Sequence, residues 1–177
     1  SAILVEGLRR LEYRGYDSAG IAVINDAGLQ RFRSVGKVQE MAIKIPPEQS
    51  GRVGVAHTRW ATHGEPSERN AHPHISKDRI AVVHNGIIEN YKELKELLQK
   101  QGYEFTSDTD TEVIAHLVES YYAGDLYAAV REASARLEGA FALAIIALDT
   151  PDELVACRKG SPLVLGIGFE ENFVASD

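Results

Sequence analysis

His57-Thr58-Arg59-Trp60-Ala61-Thr62-His63-Gly64 follows the β-prone run Val53-Gly54-Val55-Ala56, and a second stretch, Val83-His84-Asn85-Gly86-Ile87-Ile88-Glu89-Asn90, follows Ile80-Ala81-Val82. Each leaves an apolar, strand-like run and breaks into a loop dense with hydrogen-bonding groups, the way a rigid sheet presents a site at its edge. Arg59 carries a planar fork that either grips a carboxylate bidentately or forms a surface ion pair. Trp60 reads as a packed side chain or as an apolar wall. Thr62 and His63 hydrogen-bond either a ligand or their own loop. Asn85-Gly86 is the strongest short hairpin signal, yet the residues after it lead into a helix and not into a paired strand. An Asn side-chain N–H beside a Gly backbone N–H also makes an oxyanion hole. Together these groups suit a small zwitterion whose reaction develops negative charge on oxygen.

Bulk properties narrow the class. The chain has 177 residues, 44% of them hydrophobic, enough for one domain with a substantial core. A net charge of −7 with scattered basic residues argues against a nucleic-acid partner. No apolar run approaches bilayer length and no signal-peptide pattern opens the chain, so no membrane partner is expected. The single cysteine, Cys157, excludes an internal disulfide framework and fits a reducing, cytoplasmic setting. Both ends read as cut, Ser1 entering directly into a helical pattern and Asp177 following a strand-like run.

Working outward, Ile3, Leu4, Leu8 and Leu11 recur at helical spacing toward a stop near Gly15. Residues 20–24 and 30–35 read as a hairpin around Asn25-Asp26-Ala27-Gly28, and a short helix after Gly36 ends before Pro46-Pro47. The polar segment 61–78 holds too much Gly, Pro, Asn and His for regular structure, and loops of that length are usually functional or disordered. Residues 89–100 make an amphipathic helix with Tyr91, Leu94, Leu97 and Leu98 as its stripe. Thr109-Asp110-Thr111-Glu112 can cap a second helix, and Asp125 opens a third. Residues 141–148, 153–158, 163–167 and 173–175 read as strands. Runs of strands alternating with runs of helices, without a strict βαβ rhythm, favour an α+β fold.

Three further readings stay beside these. Asp110 caps its helix or pairs with a cation such as an α-ammonium group. His72-Pro73-His74, with His57, His63 and His84, offers a zinc-like cluster, but no Cys partner or H-E-x-x-H pattern accompanies it, and structural histidines bracing a polar loop are the alternative. Cys157, inside Leu154-Val155-Ala156-Cys157-Arg158, reads as a buried, inert thiol.

The segment Leu8-Arg9-Arg10-Leu11-Glu12-Tyr13-Arg14-Gly15-Tyr16-Asp17-Ser18-Ala19-Gly20 resembles the opening of the glutaminase domain of glutamine–fructose-6-phosphate aminotransferases. Residues 57–64, 70–74, 84–90, 107–112, 160–163 and 171–177 match the same pattern in order, so the resemblance covers nearly the whole chain. Tyr13-Arg14-Gly15-Tyr16-Asp17 favours that group over phosphoribosyl-pyrophosphate amidotransferases and asparagine synthetases, which share the fold. The resemblance implies a four-layer α-β-β-α sandwich of the N-terminal-nucleophile hydrolase type. It implies hydrolysis of glutamine to glutamate and ammonia, without metal or cofactor. The ammonia would pass to a sugar isomerase domain that aminates fructose 6-phosphate to glucosamine 6-phosphate, in a full-length enzyme expected to be a homo-oligomer.

By position, Arg59 would hold the glutamine α-carboxylate, Asp110 its α-ammonium, and Asn85 and Gly86 the oxyanion. Trp60, Thr62 and His63 would belong to a loop closing over the substrate, with Arg14 and His72 as supporting residues. In that group the nucleophile is a cysteine at the mature N-terminus, beginning the first strand, and its own α-amine can serve as base. This chain opens in the helix that follows, so the fold is expected to lack its first strand here. Ser1 stands at a helix start and not at a strand's first position, which argues against it as the nucleophile. The chain as written is therefore expected to be inactive; an alternative reading is a glutamine-binding module without turnover.

Overall fold

The central strands are buried nearly end to end, and the two faces on which their side chains alternate dictate the architecture. In β1 (Ser18–Asn25), Ala19, Ile21 and Val23 face one way while Ala22 and Ile24 face the other. In β5 (Ile80–Gly86), Ile80 and Val82 oppose Ala81 and Val83; in β6 (Phe141–Ala147), Leu143, Ile145 and Ala147 oppose Ile146. A period of two with both faces apolar requires a sheet covered on both sides.

The computed structural model describes residues 1–177 and supplies those covers. One antiparallel sheet has the order β2-β1-β3, with β2 at Gly28–Val35 and β3 at Val53–Arg59. The second has the order β4-β5-β6-β7, with β4 at His74–Ser76 and β7 at Leu154–Lys159. Their inner faces meet through Ala22, Ile24, Val55, Ala81, Val83 and Ile146. Helices α1 (Ala2–Leu11) and α2 (Val38–Ala42) cover the first sheet through Val5, Leu8, Val38 and Met41. On the outer face of the second sheet lie α4 (Thr111–Tyr121) and α5 (Leu126–Arg136), with α3 (Tyr91–Lys100) packed beside α4. The result is the α+β, four-layer α-β-β-α sandwich. A hairpin of β8 (Val164–Ile167) and β9 (Asn172–Ala175) pairs only with itself. No helix is long and apolar enough to cross a membrane.

Three local readings change. The segment 61–78 is not wholly irregular: it holds a 3₁₀ turn at Glu68–Asn70 and the edge strand β4. That strand was hidden because its buried side chains, His74 and Ser76, are polar and satisfied by hydrogen bonds with Thr109 and His116 instead of apolar packing. In α1 the stripe Ile3, Leu4, Leu8, Leu11 is not a simple core face: Val5 and Leu8 are buried, Ile3 is exposed, and all four stripe residues line an apolar groove beside β3. Finally, Asp110 does not cap α4. Thr109 Oγ1 lies 3.4 Å from the Glu112 backbone N–H, and Asp110 is spent elsewhere.

The second sheet's outer face carries most of the core. Ile145→Ala, a fully buried position, is expected to cost about 3–4 kcal/mol in urea unfolding, whereas Ile167→Ala, on the exposed hairpin, stays within about 0.5 kcal/mol. Equal effects would contradict this layer assignment.

Candidate active site at the sheet edge

The ends of β3 and β5 lie side by side where the two sheets meet. The polar cavity there, about 290 Å³, is lined by Arg14, His57, Arg59, Trp60, Thr62, His63, His72, His84, Asn85, Gly86, Asp110 and Thr111 among others. The nine residues that the resemblance placed at the site (Arg14, Arg59, Trp60, Thr62, His63, His72, Asn85, Gly86 and Asp110) all line this one cavity, whereas His74 and Cys157 do not.

Arg59 ends β3 and is 3% exposed. Its Nη1 donates to Asp17 Oδ1 at 3.3 Å and to the Glu65 carbonyl at 3.2 Å. Its Nη2 donates to the carbonyls of Gly64, at 2.9 Å, and His63. The surface ion-pair reading is thus replaced by a buried guanidinium that gathers the carbonyls of residues 63–65 around itself. Trp60, next in sequence, is 69% exposed and lies against Gly15, where a Cβ would collide with the indole. The packed-core reading of Trp60 fails because the chain turns outward immediately after β3.

Asn85 and Gly86 close β5 and no hairpin follows. Gly86 has φ +122° and a Cβ there would collide with the Ala140 carbonyl, so strand β6 passes too close for any other residue. The Ile87 N–H donates to Ala140 O, and the chain then turns into α3. Asn85 Oδ1 is 2.8 Å from His57 Nε2. Asp110 is 3% exposed; its Oδ2 accepts from the Ile88 backbone N–H at 2.8 Å and its Oδ1 lies 3.8 Å from His63 Nδ1. Thr62 Oγ1 and His63 Nδ1 are 3.2 Å apart, so these two hold their own loop as well as lining the cavity. Arg14 donates to Ser176 Oγ at 2.8 Å, tying the turn after α1 to the end of the chain.

Beneath the cavity runs a seam of buried polar side chains. His57 stacks on His72 with ring centroids 4.0 Å apart. Thr111 Oγ1 contacts His84 Nδ1 at 2.9 Å and His72 Nε2 at 3.3 Å, while His74 Nε2 contacts Thr109 Oγ1 at 3.0 Å. Ser107 links Thr109 to the Glu112 carboxylate, which also accepts the Thr106 and Ser107 backbone N–H groups. The histidines brace the loop against α4, and no group of three or more potential ligands converges to hold a metal. Ser107 and Thr109, read from the sequence only as part of a matched segment and a helix cap, belong to this seam, as does His116, which carried no signal of its own.

Burial dominates the proton affinities. Desolvation lowers His57 and His84 to about 4, and it lowers His74 and His72 strongly as well. For Glu112, burial pushes upward, but hydrogen bonds from His116, Ser107 and the backbone outweigh it and hold the carboxyl well below its ordinary range. Burial raises the thiol of Cys157, a half-buried residue of β7 outside the cavity, which keeps it protonated and inert.

The fold and site together define an amidotransferase of the N-terminal-nucleophile type. The pattern of the glutamine amidotransferase domain matches residues 57–176, and the chain belongs to that family. It is 60% identical over 181 residues to glutamine–fructose-6-phosphate aminotransferase (isomerizing) of Legionella pneumophila strain Paris, covering 100% of this chain and 30% of that one. With the same enzyme of Shewanella oneidensis it shares 59% identity over 178 residues, covering 99% and 29%. The glutaminase-domain resemblance read from the motifs is borne out. The chain thus spans about 30% of the length of these relatives. Among solved structures, glutamine phosphoribosylpyrophosphate amidotransferase from B. subtilis, complexed with ADP and GMP, superimposes with a TM-score of 0.82 at 28% identity, covering 97% of this chain and 38% of that one. A structure of the allosteric regulatory enzyme of purine biosynthesis gives 0.83 at 28% identity, covering 99% and 39%.

The buried histidines give the fold a specific acid response. An unperturbed histidine titrates near 6.5, so below that pH the unfolded chain takes up protons that the folded chain refuses. Stability should be constant above about pH 7 and fall between about pH 6.5 and 4, with each such histidine contributing up to ~1.4 kcal/mol per pH unit. Urea titrations at pH 7.5, 6 and 5 check this; a midpoint that does not move across that range would contradict the neutral, buried state of the seam.

Proposed function

We propose that this domain binds glutamine and hydrolyses it to glutamate and ammonia, as the glutaminase part of a longer aminotransferase that delivers the ammonia to fructose 6-phosphate on a separate sugar isomerase domain. The observation that carries the reading is the meeting, in one polar cavity, of a cation, an anion and an adjacent pair of amide donors: Arg59, Asp110 and Asn85–Gly86. A zwitterion with an amide side chain matches all three. Its α-carboxylate faces Arg59, its α-ammonium faces Asp110, and the tetrahedral oxyanion formed from its amide carbonyl lies between the Asn85 side chain and the Gly86 backbone.

Arg59 couples binding to the loop. Its two terminal nitrogens donate to four acceptors, three of them carbonyls of residues 63–65. A carboxylate gains a bidentate grip only by replacing neutral carbonyls, an exchange favoured because the new acceptor carries a full negative charge opposite the guanidinium. The released carbonyls leave Trp60, Thr62 and His63 free to close over the substrate.

The nucleophile in this reading is a cysteine that begins a strand seated beside β3. Two features support it. Strand β3 forms the edge of its sheet, and the groove next to it, about 430 Å³ and mostly apolar, is lined by Leu4, Leu8, Val55, Ala144 and Leu154. That groove shares Arg14, His57, Thr58, His84 and Asn85 with the polar cavity, so a strand in it would end next to the oxyanion donors. The thiolate attacks the amide carbonyl, the amine end of the strand takes and returns the proton, ammonia leaves, and water cleaves the thioester.

Ammonia release from glutamine is the direct test. The 177-residue chain should show none above background, and the domain preceded by a strand starting with cysteine should turn over; turnover by the shorter chain would overturn the assignment of the nucleophile. In the active form, Asn85→Ala should lower kcat about 100-fold with little change in KM, and Arg59→Lys should raise KM roughly 10- to 100-fold with less effect on kcat. Unchanged kinetics in both would refute the glutamine pocket.

A further inference from the structure

An amide oxyanion donor works only if its NH₂ end, and not its oxygen, faces the reacting atom, and Asn85 can be turned either way. What faces the other end of the amide therefore matters. It is His57, the residue opposite Gly20 on the neighbouring strand β1, with its Nε2 at 2.8 Å from Asn85 Oδ1. We infer that His57, carrying its proton on Nε2, is the positioning residue that fixes the Asn85 amide with its NH₂ toward the cavity. This rests on the reading of Asn85 as an oxyanion donor.

Two observations support the tautomer. His57 Nδ1 is buried and has no hydrogen-bond partner. A buried lone pair without a donor costs less than a buried N–H without an acceptor, so the proton belongs on Nε2. The geometry agrees: in the observed pose, with His57 stacked on His72 at 4.0 Å and 11°, it is Nε2 that faces Asn85 Oδ1, an acceptor that needs a proton opposite it. With the proton on Nδ1 the interaction would invert: Nε2 would accept from the Asn85 NH₂, and the amide oxygen would face the cavity, repelling the charge that the site must stabilise. One proton on a residue that need not touch the substrate thus sets the sign of the oxyanion site.

Two arms test this. In the 177-residue chain, ¹⁵N NMR of the histidine rings should show His57 as the Nε2–H tautomer at pH 7.5; the Nδ1–H tautomer would overturn the inference whatever the kinetics. In the active form, His57→Phe, which keeps the planar ring but has no donor, should lower kcat 10- to 100-fold with KM within about threefold. His57→Gln, whose amide can still donate to Asn85, should recover most of that loss. In the Asn85→Ala background, His57→Phe should cost nothing further. An equal loss in both backgrounds would make His57 merely structural and overturn the inference while leaving the oxyanion reading intact. If Asn85→Ala itself leaves kcat unchanged, the oxyanion reading fails and this inference falls with it. Should His57→Phe fail to fold, the tautomer measurement and the Gln variant decide.

Discussion

The site hangs on the buried seam of hydrogen bonds that joins β3, the loop 61–78, β5 and the start of α4. His57 to Asn85, His84 and His72 to Thr111, His74 to Thr109, and Ser107 to Glu112 form a single polar layer in an otherwise apolar sandwich. Buried polar groups are costly unless paired, and a partly satisfied network is worse than an apolar one. This layer limits the cost by pairing one ring nitrogen of each of His57, His72, His74 and His84 internally, by keeping those rings neutral and by surrounding the Glu112 carboxylate with donors. Because each bond crosses between elements, the same layer sets the relative positions of Arg59, Asn85 and Asp110 at three separate element ends. Preorganisation of that kind is what an oxyanion site needs, since donors that must reorient during the reaction lose most of their value.

Arg59 adds the second constraint. As a buried cation surrounded by backbone carbonyls and Asp17, it holds the loop after β3 in a tight turn. The same guanidinium is the group best suited to a substrate carboxylate. On the proposed reading one side chain serves both structure and binding: its four terminal N–H groups already meet four acceptors, so a carboxylate must displace some of them.

Much of this was legible in the residues, for stated reasons. Strands β1, β5 and β6 announce themselves by β-branched runs, and α3 by its period of 3.6. The loop stretches after β3 and β5 stand out because polar density rises abruptly where a sheet ends. Other features were not legible. Strand β4 has no apolar alternation, because His74 and Ser76 face a polar seam. Trp60 lies exposed because the backbone turns outward, which composition does not report. Asp110 stands at a helix start, where capping is the default, and only the fold shows its carboxylate turned onto the Ile88 N–H. The double duty of the α1 stripe needed the groove beside β3. In each case the missing information was what lies across space from the side chain.

The account stands on one cavity reading both charges and the amide of glutamine. A crystal structure of the domain soaked with L-glutamate, the product of the proposed hydrolysis, tests this most directly. The account predicts the α-carboxylate on the Arg59 guanidinium, the α-ammonium on Asp110, and the side-chain carboxylate against the Asn85 amide and the Gly86 N–H, with residues 63–65 shifted off Arg59. Glutamate bound with its α-carboxylate away from Arg59, or an unchanged cavity at saturating glutamate, would contradict it.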